Sequence, residues 1–247
     1  MKILIGVLSN DHVSIPHRDF GYKAMVDASR ETCFSEKVEG VDVYFMYNQR
    51  EGADVGNNIY GVHKDCFYYN WPEHRKYILN KTMAFFHYAY NNLQFDYIFR
   101  TNCGSYIDQQ LLKKHVNSIE IKENIYMSIE NHIQEYKGRP VDIRYGSGAG
   151  ILLSHDVVGK LLAHEPELRD GVDDVEFGRI LKNKYNMHVT PGAIRKDVKY
   201  GDLISNDSLV DNECYHYYFR ATRDPRCYHE THFRTLKNRE GAINDGK

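Results

Sequence analysis

Three stretches of this chain carry side chains whose types and spacing suit them to chemistry. In FDYIFRTNCGSYID, residues 95–108, an apolar run ends in the polar turn Arg100-Thr101-Asn102-Cys103-Gly104. Turns at such places often hold a metal or a phosphate. A hard divalent cation, however, wants carboxylate oxygens, and this turn offers one amide and one soft thiol. In VDDVEFG, residues 172–178, Asp173, Asp174 and Glu176 open a helical pattern, where acids can cap the first turn and a carboxylate can act as a general base. In CYHYYFRATRDPR, residues 214–226, His216, Arg220, Arg223 and Arg226 alternate with aromatic residues. Arginine there suits an anion, because its planar fork bonds two phosphate oxygens and stays charged. Two weaker signals are the single-spaced glycines of YGSGAG (145–150) and the pair His229 and His232, whose spacing has no third ligand beside it.

The elements that must position these residues follow from hydrophobic periodicity. Strands are expected over 3–8, 41–48, within 65–71, up to residue 102, and over 124–131. Helices are expected over about 19–34, from Pro72 to Asn92, and over 172–185, the last with acids in its first turn and lysines in its final one. YGSGAGILLSHDVVGKLL (145–162) reads as a glycine turn, a short apolar strand and a helix. Alternation of strands and helices at this spacing predicts an α/β fold, a Rossmann-like and mostly parallel sheet flanked by helices. Ligands in such sheets bind at the carboxyl ends of the strands. With no repeat and no linker, 1–247 is expected to be a single domain, with a first half to about residue 110 and a second half ending in the basic aromatic segment.

A chain of 247 residues with 42% hydrophobic residues and a formal charge of -2 is neither a disordered tail nor a strongly basic nucleic-acid binder. Its 5 cysteines are odd in number and widely separated, without CxxC pairs, which predicts reduced thiols. The apolar run in MKILIGVLSN is too short to span a bilayer and has no small-residue cleavage site, so a cytoplasmic protein without a membrane span is expected. Its 20 tyrosines, with abundant Asn, Lys and Ile, fit a bacterial or phage source.

Several blocks, in order over roughly residues 76 to 185, resemble the inverting GT-A glycosyltransferases of the fringe and β1,3-galactosyl/N-acetylglucosaminyltransferase family. ILNKTMAFFHYAY leading into FDYIFRTN is similar to that family's LKT helix and the strand that follows it. YGSGAGILLSHDVV is similar to YCSGGGYVLSRD, and VDDVEFG to EDVYVG. SRETC (29–33) is similar to IRETW but lacks the paired arginines before it. Where the family has an Asp triplet that binds a divalent cation, this chain has Asn102, Cys103 and Gly104.

The resemblance implies a nucleotide-sugar donor, held by Ser9, Asn10, Arg18, Lys81, Arg100, Thr101, Asn102 and Gly104. Asn102 would reach a ribose or sugar hydroxyl, and Gly104 would let the backbone approach. Asp174 matches the family's aspartate beside the acceptor hydroxyl and is the implied general base, with Glu176 a substitute. Gly146, Gly148 and Asp173 fall on the acceptor side. With the triplet replaced, no metal or other cofactor is expected beyond the UDP-sugar co-substrate. His216, Arg220 and Arg223 then stabilise the leaving diphosphate, and Asp108 stands ready beside the turn.

The function this implies is inverting transfer of a sugar from a UDP-sugar to an acceptor hydroxyl. The acceptor is a bacterial surface glycan or a hydroxymethylated base of phage DNA. For DNA, Lys182, Lys184, Arg195, Lys196 and Lys199 would face the backbone. The competing reading is a catalytically inactive nucleotide-sugar or glycan binding module of the same fold.

Overall fold

The computed structural model describes residues 1–11, 20–48, 59–136, 139–164, 172–192, 196–205, 218–221 and 224–245. In chain order the elements are β1 (Ile3–Leu8), α1 (Tyr22–Glu31), β2 (Val41–Asn48), β3 (Tyr60–His63), β4 (Cys66–Tyr69), α2 (Ile78–Asn92), β5 (Tyr97–Asn102), β6 (Ser105–Ile107) and α3 (Gln109–Asn117). They continue with β7 (Tyr126–Tyr136), β8 (Arg139–Ser154), α4 (His155–Leu162), α5 (Asp173–Tyr185), β9 (Lys196–Asp197), α6 (Tyr200–Ser205), β10 (Tyr218–Arg220) and α7 (Pro225–Asp245).

The chain, expected as one domain dividing near residue 110, groups into two compact units whose segments interleave. The first comprises Met1–Asn10, Asp42–Asn102 and Glu120–Gly192; the second comprises Asp11–Val41, Cys103–Ile119 and Ala193–Lys247.

The first unit is built on a seven-stranded sheet in the order β3-β4-β2-β1-β5-β8-β7. The α/β expectation holds, but the sheet is mixed. β1 with β5 and β2 with β4 run parallel, whereas β3 with β4, β5 with β8 and β7 with β8 run antiparallel. β1 and β5 are apolar on both faces, with Ile3, Leu4, Ile5, Tyr97, Ile98 and Phe99 all fully buried, as strands inside a sheet must be. On one face Leu4, Ile98, Ile151 and Leu153 share a core with Phe85, Phe86 and Ala89 of α2, Val157 and Leu161 of α4, and Phe177 and Ile180 of α5.

Two local elements differ from expectation. α2 starts later than Pro72: a short 3-10 turn, Arg75–Tyr77, precedes it, with the His74 Nδ1 accepting the Lys76 N–H at 3.1 Å. The glycine-rich 145–150 is not a turn but the middle of β8. Within it Tyr145 and Gly146 pair with Asn131 and Glu130 of β7 and Gly150 pairs with Thr101 of β5, while the register against β7 shifts between Gly146 and Ile151. In the second unit β6, β10 and β9 form a three-stranded sheet, with α7 against both α1 and α6. Among the described residues Cys33, Cys103 and Cys227 of this unit and Cys66 of the first form no disulfide.

Candidate functional site

The site assembles at the carboxyl end of β5, where the first turn of α5 meets β8. α5 opens after Val172, an extended residue that supplies no side-chain cap. The acids behind it serve two of the first-turn amides. Asp173 Oδ1 accepts the Asp174 N–H at 3.0 Å, and Asp174 Oδ1 accepts the Val175 N–H at 2.9 Å.

From there the two acids part. Asp173, 1% exposed, accepts Arg100 Nε at 2.7 Å on Oδ2 and Arg100 Nη2 at 2.5 Å on Oδ1, and Oδ2 also accepts the Thr82 hydroxyl at 2.7 Å. Expected on the acceptor side, Asp173 is instead sealed inside the unit. Arg100, expected to hold the donor, is likewise buried, and its remaining Nη1 donates to the Gly148 carbonyl. The reason is electrostatic: a guanidinium this deep needs a carboxylate beside it, and Asp173 is the partner.

Asp174 stays half-buried, its Oδ2 accepting the Gly148 N–H at 2.9 Å. The Gly148 peptide is thus held on both sides, its N–H by Asp174 and its C=O by Arg100 and by Asn102 Nδ2, the latter at 3.2 Å. Gly148 clears space for this network. A Cβ there would lie 2.7 Å from Asp174 Oδ2 and 2.9 Å from Arg100 Nη1. Gly146 is tight for a different reason: a Cβ would meet Ser128 Cβ at 2.7 Å, and its N–H donates to the buried Tyr126 hydroxyl at 2.7 Å.

Burial pushes the Asp174 carboxyl above the usual carboxylate range, and the negative charge of Asp173 adds to the rise. The Arg100 charge and the two backbone N–H donors pull the other way. The Tyr145 phenol is raised too, by burial and by the Asp174 charge. A carboxylate oriented by two amides, reluctant to ionise and partly open to solvent is equipped to take a proton from a hydroxyl.

A second polar cluster lies along the same carboxyl edge. Lys81 is 2% exposed, and its Nζ donates to the Ser9 carbonyl at 3.1 Å and to the Glu73 carboxylate at 3.1 and 3.3 Å. Glu73 in turn accepts the Asn48 N–H at 3.2 Å. Ser9 is buried as well, its Oγ donating to the Val7 carbonyl and its N–H to Met46 O. Lys81 and Ser9, expected on the donor, are therefore brought together but turned inward. Thr101 is also turned inward, its hydroxyl donating to the Ala149 carbonyl at 2.6 Å. Of the donor candidates in this unit, Asn10 and Asn102 remain partly exposed.

The second unit holds the rest of the turn. Cys103 is buried, its carbonyl accepting the Tyr228 hydroxyl at 2.7 Å, and the Gly104 carbonyl accepts the Ala221 N–H at 2.9 Å, so this backbone is occupied by its own unit. Asp108 caps α3 through the Leu111 N–H and pairs with Arg239 at 2.6 Å. Arg226 pairs with Asp224 and lies over the Tyr200 ring, 4.6 Å from its centroid. Arg18, His216 and Arg223 lie outside the described residues, as does the side chain of Arg220.

The donor set does not fit a divalent cation. Asn102 is bonded to Gly148, Cys103 is a buried thiol, and Asp108 and Asp173 each face an arginine. Among the described residues no group of three or more His, Cys, Asp or Glu side chains converges. Of the cations expected to face DNA, Lys182 lies 3.8 Å from Asp142 in the first unit. Lys184 also belongs to that unit, while Lys196 and Lys199 belong to the second. Arg195 lies outside the described residues.

Sequence reasoning did not find Thr82 or Glu73. Thr82 stands beside Lys81 in the ILNKT block, and nothing local tells that its hydroxyl reaches an acid 91 positions away.

No family model and no curated protein matches the chain. Among solved structures it is similar to an active-site mutant of LgtC, with a TM-score of 0.42 and 11% identity over 90% of this chain and 87% of that one. It is also similar to HddC from Yersinia pseudotuberculosis, with a TM-score of 0.36 and 10% identity over 77% of this chain and 89% of that one. Likenesses this distant assign no reaction to the chain. No described helix is long and apolar enough to cross a membrane.

Proposed function

We propose that the chain is a GT-A-type glycosyltransferase that moves a sugar from a nucleotide donor, a UDP-sugar, to an acceptor hydroxyl with inversion. The observation that carries this reading is Asp174. It is a half-buried carboxylate at the carboxyl edge of the central strands, held by the N–H groups of Gly148 and Val175 and raised above its ordinary range by burial. The sequence resemblance over about residues 76 to 185 supplies the reaction class.

In the proposed step Asp174 accepts the proton of the acceptor hydroxyl as that oxygen bonds to the anomeric carbon. The bond from the anomeric carbon to the diphosphate breaks, and its electron pair leaves with UDP. A single base on the face opposite the leaving group gives inversion. Arg100 and Asp173 hold Asp174 and the Gly148 peptide in place, and Asn102 stands at the donor side. The charge developing on the diphosphate falls to His216, Arg220 and Arg223. The acceptor is a surface glycan or a hydroxymethylated base in DNA.

Calorimetry with UDP and other nucleoside diphosphates tests donor binding, and absence of binding to all of them removes the reading. Transfer to a glycan panel and to hydroxymethylcytosine DNA, measured for wild type and Asp174→Asn, tests catalysis. Donor binding with equal background turnover in both proteins identifies a binding module instead.

A further inference from the structure

We propose that Thr82 is a positioning residue for the reacting carboxylate: through Asp173 and Arg100, its sealed hydroxyl fixes Gly148, and Gly148 in turn holds Asp174. The inference rests on the role given to Asp174 and assigns Thr82 no contact with substrate.

Thr82 is fully buried on α2. Its Oγ1 lies 2.7 Å from Asp173 Oδ2 and 3.0 Å from the Ile78 carbonyl. A helical threonine can satisfy itself on the carbonyl four residues back, but its one hydrogen goes to the nearer, charged acceptor. Asp173 thus has donors on both oxygens: the Asp174 N–H and Arg100 Nη2 on Oδ1, Arg100 Nε and the Thr82 hydroxyl on Oδ2. Arg100 belongs to β5 and the Asp174 amide to α5. The Thr82 hydroxyl ties the carboxylate to a third element, α2.

The restraint passes onward through a flat group. Because the guanidinium is planar, the bonds of Nε and Nη2 to Asp173 aim Nη1 of Arg100 at the Gly148 carbonyl. The N–H of the same glycine donates to Asp174 Oδ2 at 2.9 Å. Little slack remains there. A Cβ on Gly148 would lie 2.7 Å from Asp174 Oδ2 and 2.9 Å from Arg100 Nη1, so a guanidinium that shifts carries the glycine and its hold on Asp174 with it.

The hydroxyl is not what docks α2 on α5. One turn along, Phe86 of α2 stacks on Phe177 of α5, with centroids 5.5 Å apart and planes at 25°. Thr82 and Phe86, like Asp173 and Phe177, are four residues apart and share a helix face. The apolar stack joins the helices, and the polar contact a turn away sets where the carboxylate lies. Valine has the shape of threonine without the hydroxyl, so Thr82→Val removes the polar contact and keeps the stack.

Without the hydroxyl the Gly148 N–H bond to Asp174 loosens. That bond favours the charged carboxylate, so its weakening pushes the Asp174 carboxyl further up. The charged and titratable groups that act on Asp174 are Asp173 of α5 and Arg100 of β5, and its own charge acts on Tyr126 of β7 and Tyr145 of β8. Substituting Thr82 leaves all of them in the chain.

Thr82→Val, Thr82→Ala and Thr82→Ser are compared in the full chain. The Asp174 Cγ resonance, assigned with Asp174→Asn, is titrated by NMR, and transfer is followed from the UDP-sugar to the acceptor that wild type uses. Thr82→Val and Thr82→Ala, whichever folds, should raise the Asp174 midpoint by about 0.5 in pH and lower kcat roughly threefold to thirtyfold. Donor KM should stay within about twofold, because the sealed hydroxyl touches no ligand. Thr82→Ser keeps the hydroxyl and should restore the midpoint and kcat. A hydroxyl that only stabilised the fold would lower the thermal midpoint and leave the Asp174 resonance and the acid limb in place, and that result overturns the proposal. A serine variant as impaired as the valine one overturns it too. Failure of the transferase reading shows differently: wild type then transfers nothing, and the Asp174 midpoint alone decides, upholding the link from Thr82 where it moves and overturning it where it does not.

Discussion

Arg100 holds both carboxylate oxygens of Asp173, and the two side chains are 4% and 1% exposed although 73 positions separate them in the chain. Removing one partner leaves the other charge buried and uncompensated. Arg100→Ala should therefore destabilise the protein by about 3–5 kcal/mol in urea unfolding. The pair replaced together, Arg100→Met with Asp173→Leu, should cost clearly less than the sum of the single changes. Additive costs would mean that the pair is not coupled.

Asp174 is harder to ionise in the folded chain than in the unfolded one. The folded state thus keeps this proton to higher pH, and the stability it contributes is present in acid and lost as pH rises from the unfolded value through the raised folded one. Asp174→Asn removes that loss. The amide has one acceptor oxygen for the two backbone N–H groups that Asp174 serves, so the variant loses one of these bonds at every pH, but its stability relative to wild type should rise with pH, while transfer falls by about two to four decades. In wild type the acid limb of the pH–rate profile should lie above the ordinary aspartate range. A limb at the ordinary value, or a stability relative to wild type that does not rise with pH, contradicts this assignment.

Gly148→Ala places a methyl group 2.7 Å from Asp174 Oδ2 and 2.9 Å from Arg100 Nη1. The side chains must move, at a cost of about 1–3 kcal/mol, and transfer should drop further than stability implies. Gly201→Ala is the control. It lies in α6 with nothing within 4 Å of the added carbon, and should stabilise by about 0.4–1 kcal/mol with activity unchanged.

Activity should survive EDTA, because Asn102, Cys103 and Gly104 do not supply the oxygens a manganese or magnesium ion requires. Arg220→Ala and Arg223→Ala should each raise the barrier by about 2–4 kcal/mol while circular dichroism stays unchanged. Full dependence on manganese with tolerant arginines would reverse this assignment and point to a carboxylate elsewhere.

The strands over 3–8 and 41–48, and the helix opened by Asp173 and Asp174, were legible because their signals are local: apolar runs of strand length, and acids where a helix exposes free N–H groups. The adjacency of a sealed and an open acid was also written in the chain, since successive residues of a helix point in different directions. Which acid was sealed was not. That depended on Arg100 and Thr82 reaching α5 from β5 and α2, contacts that span 73 and 91 positions and leave no periodic trace. For the same reason Lys81 and Ser9, placed on the donor by the family resemblance, were turned inward by Glu73 and by the neighbouring backbone. The glycines of YGSGAG read locally as a turn. Pairing of Gly146 with β7 and of Gly150 with β5 made them part of a strand, and the closeness of Asp174 to Gly148 is what required glycine there, because only the folded chain brings a carboxylate into the space a side chain would fill.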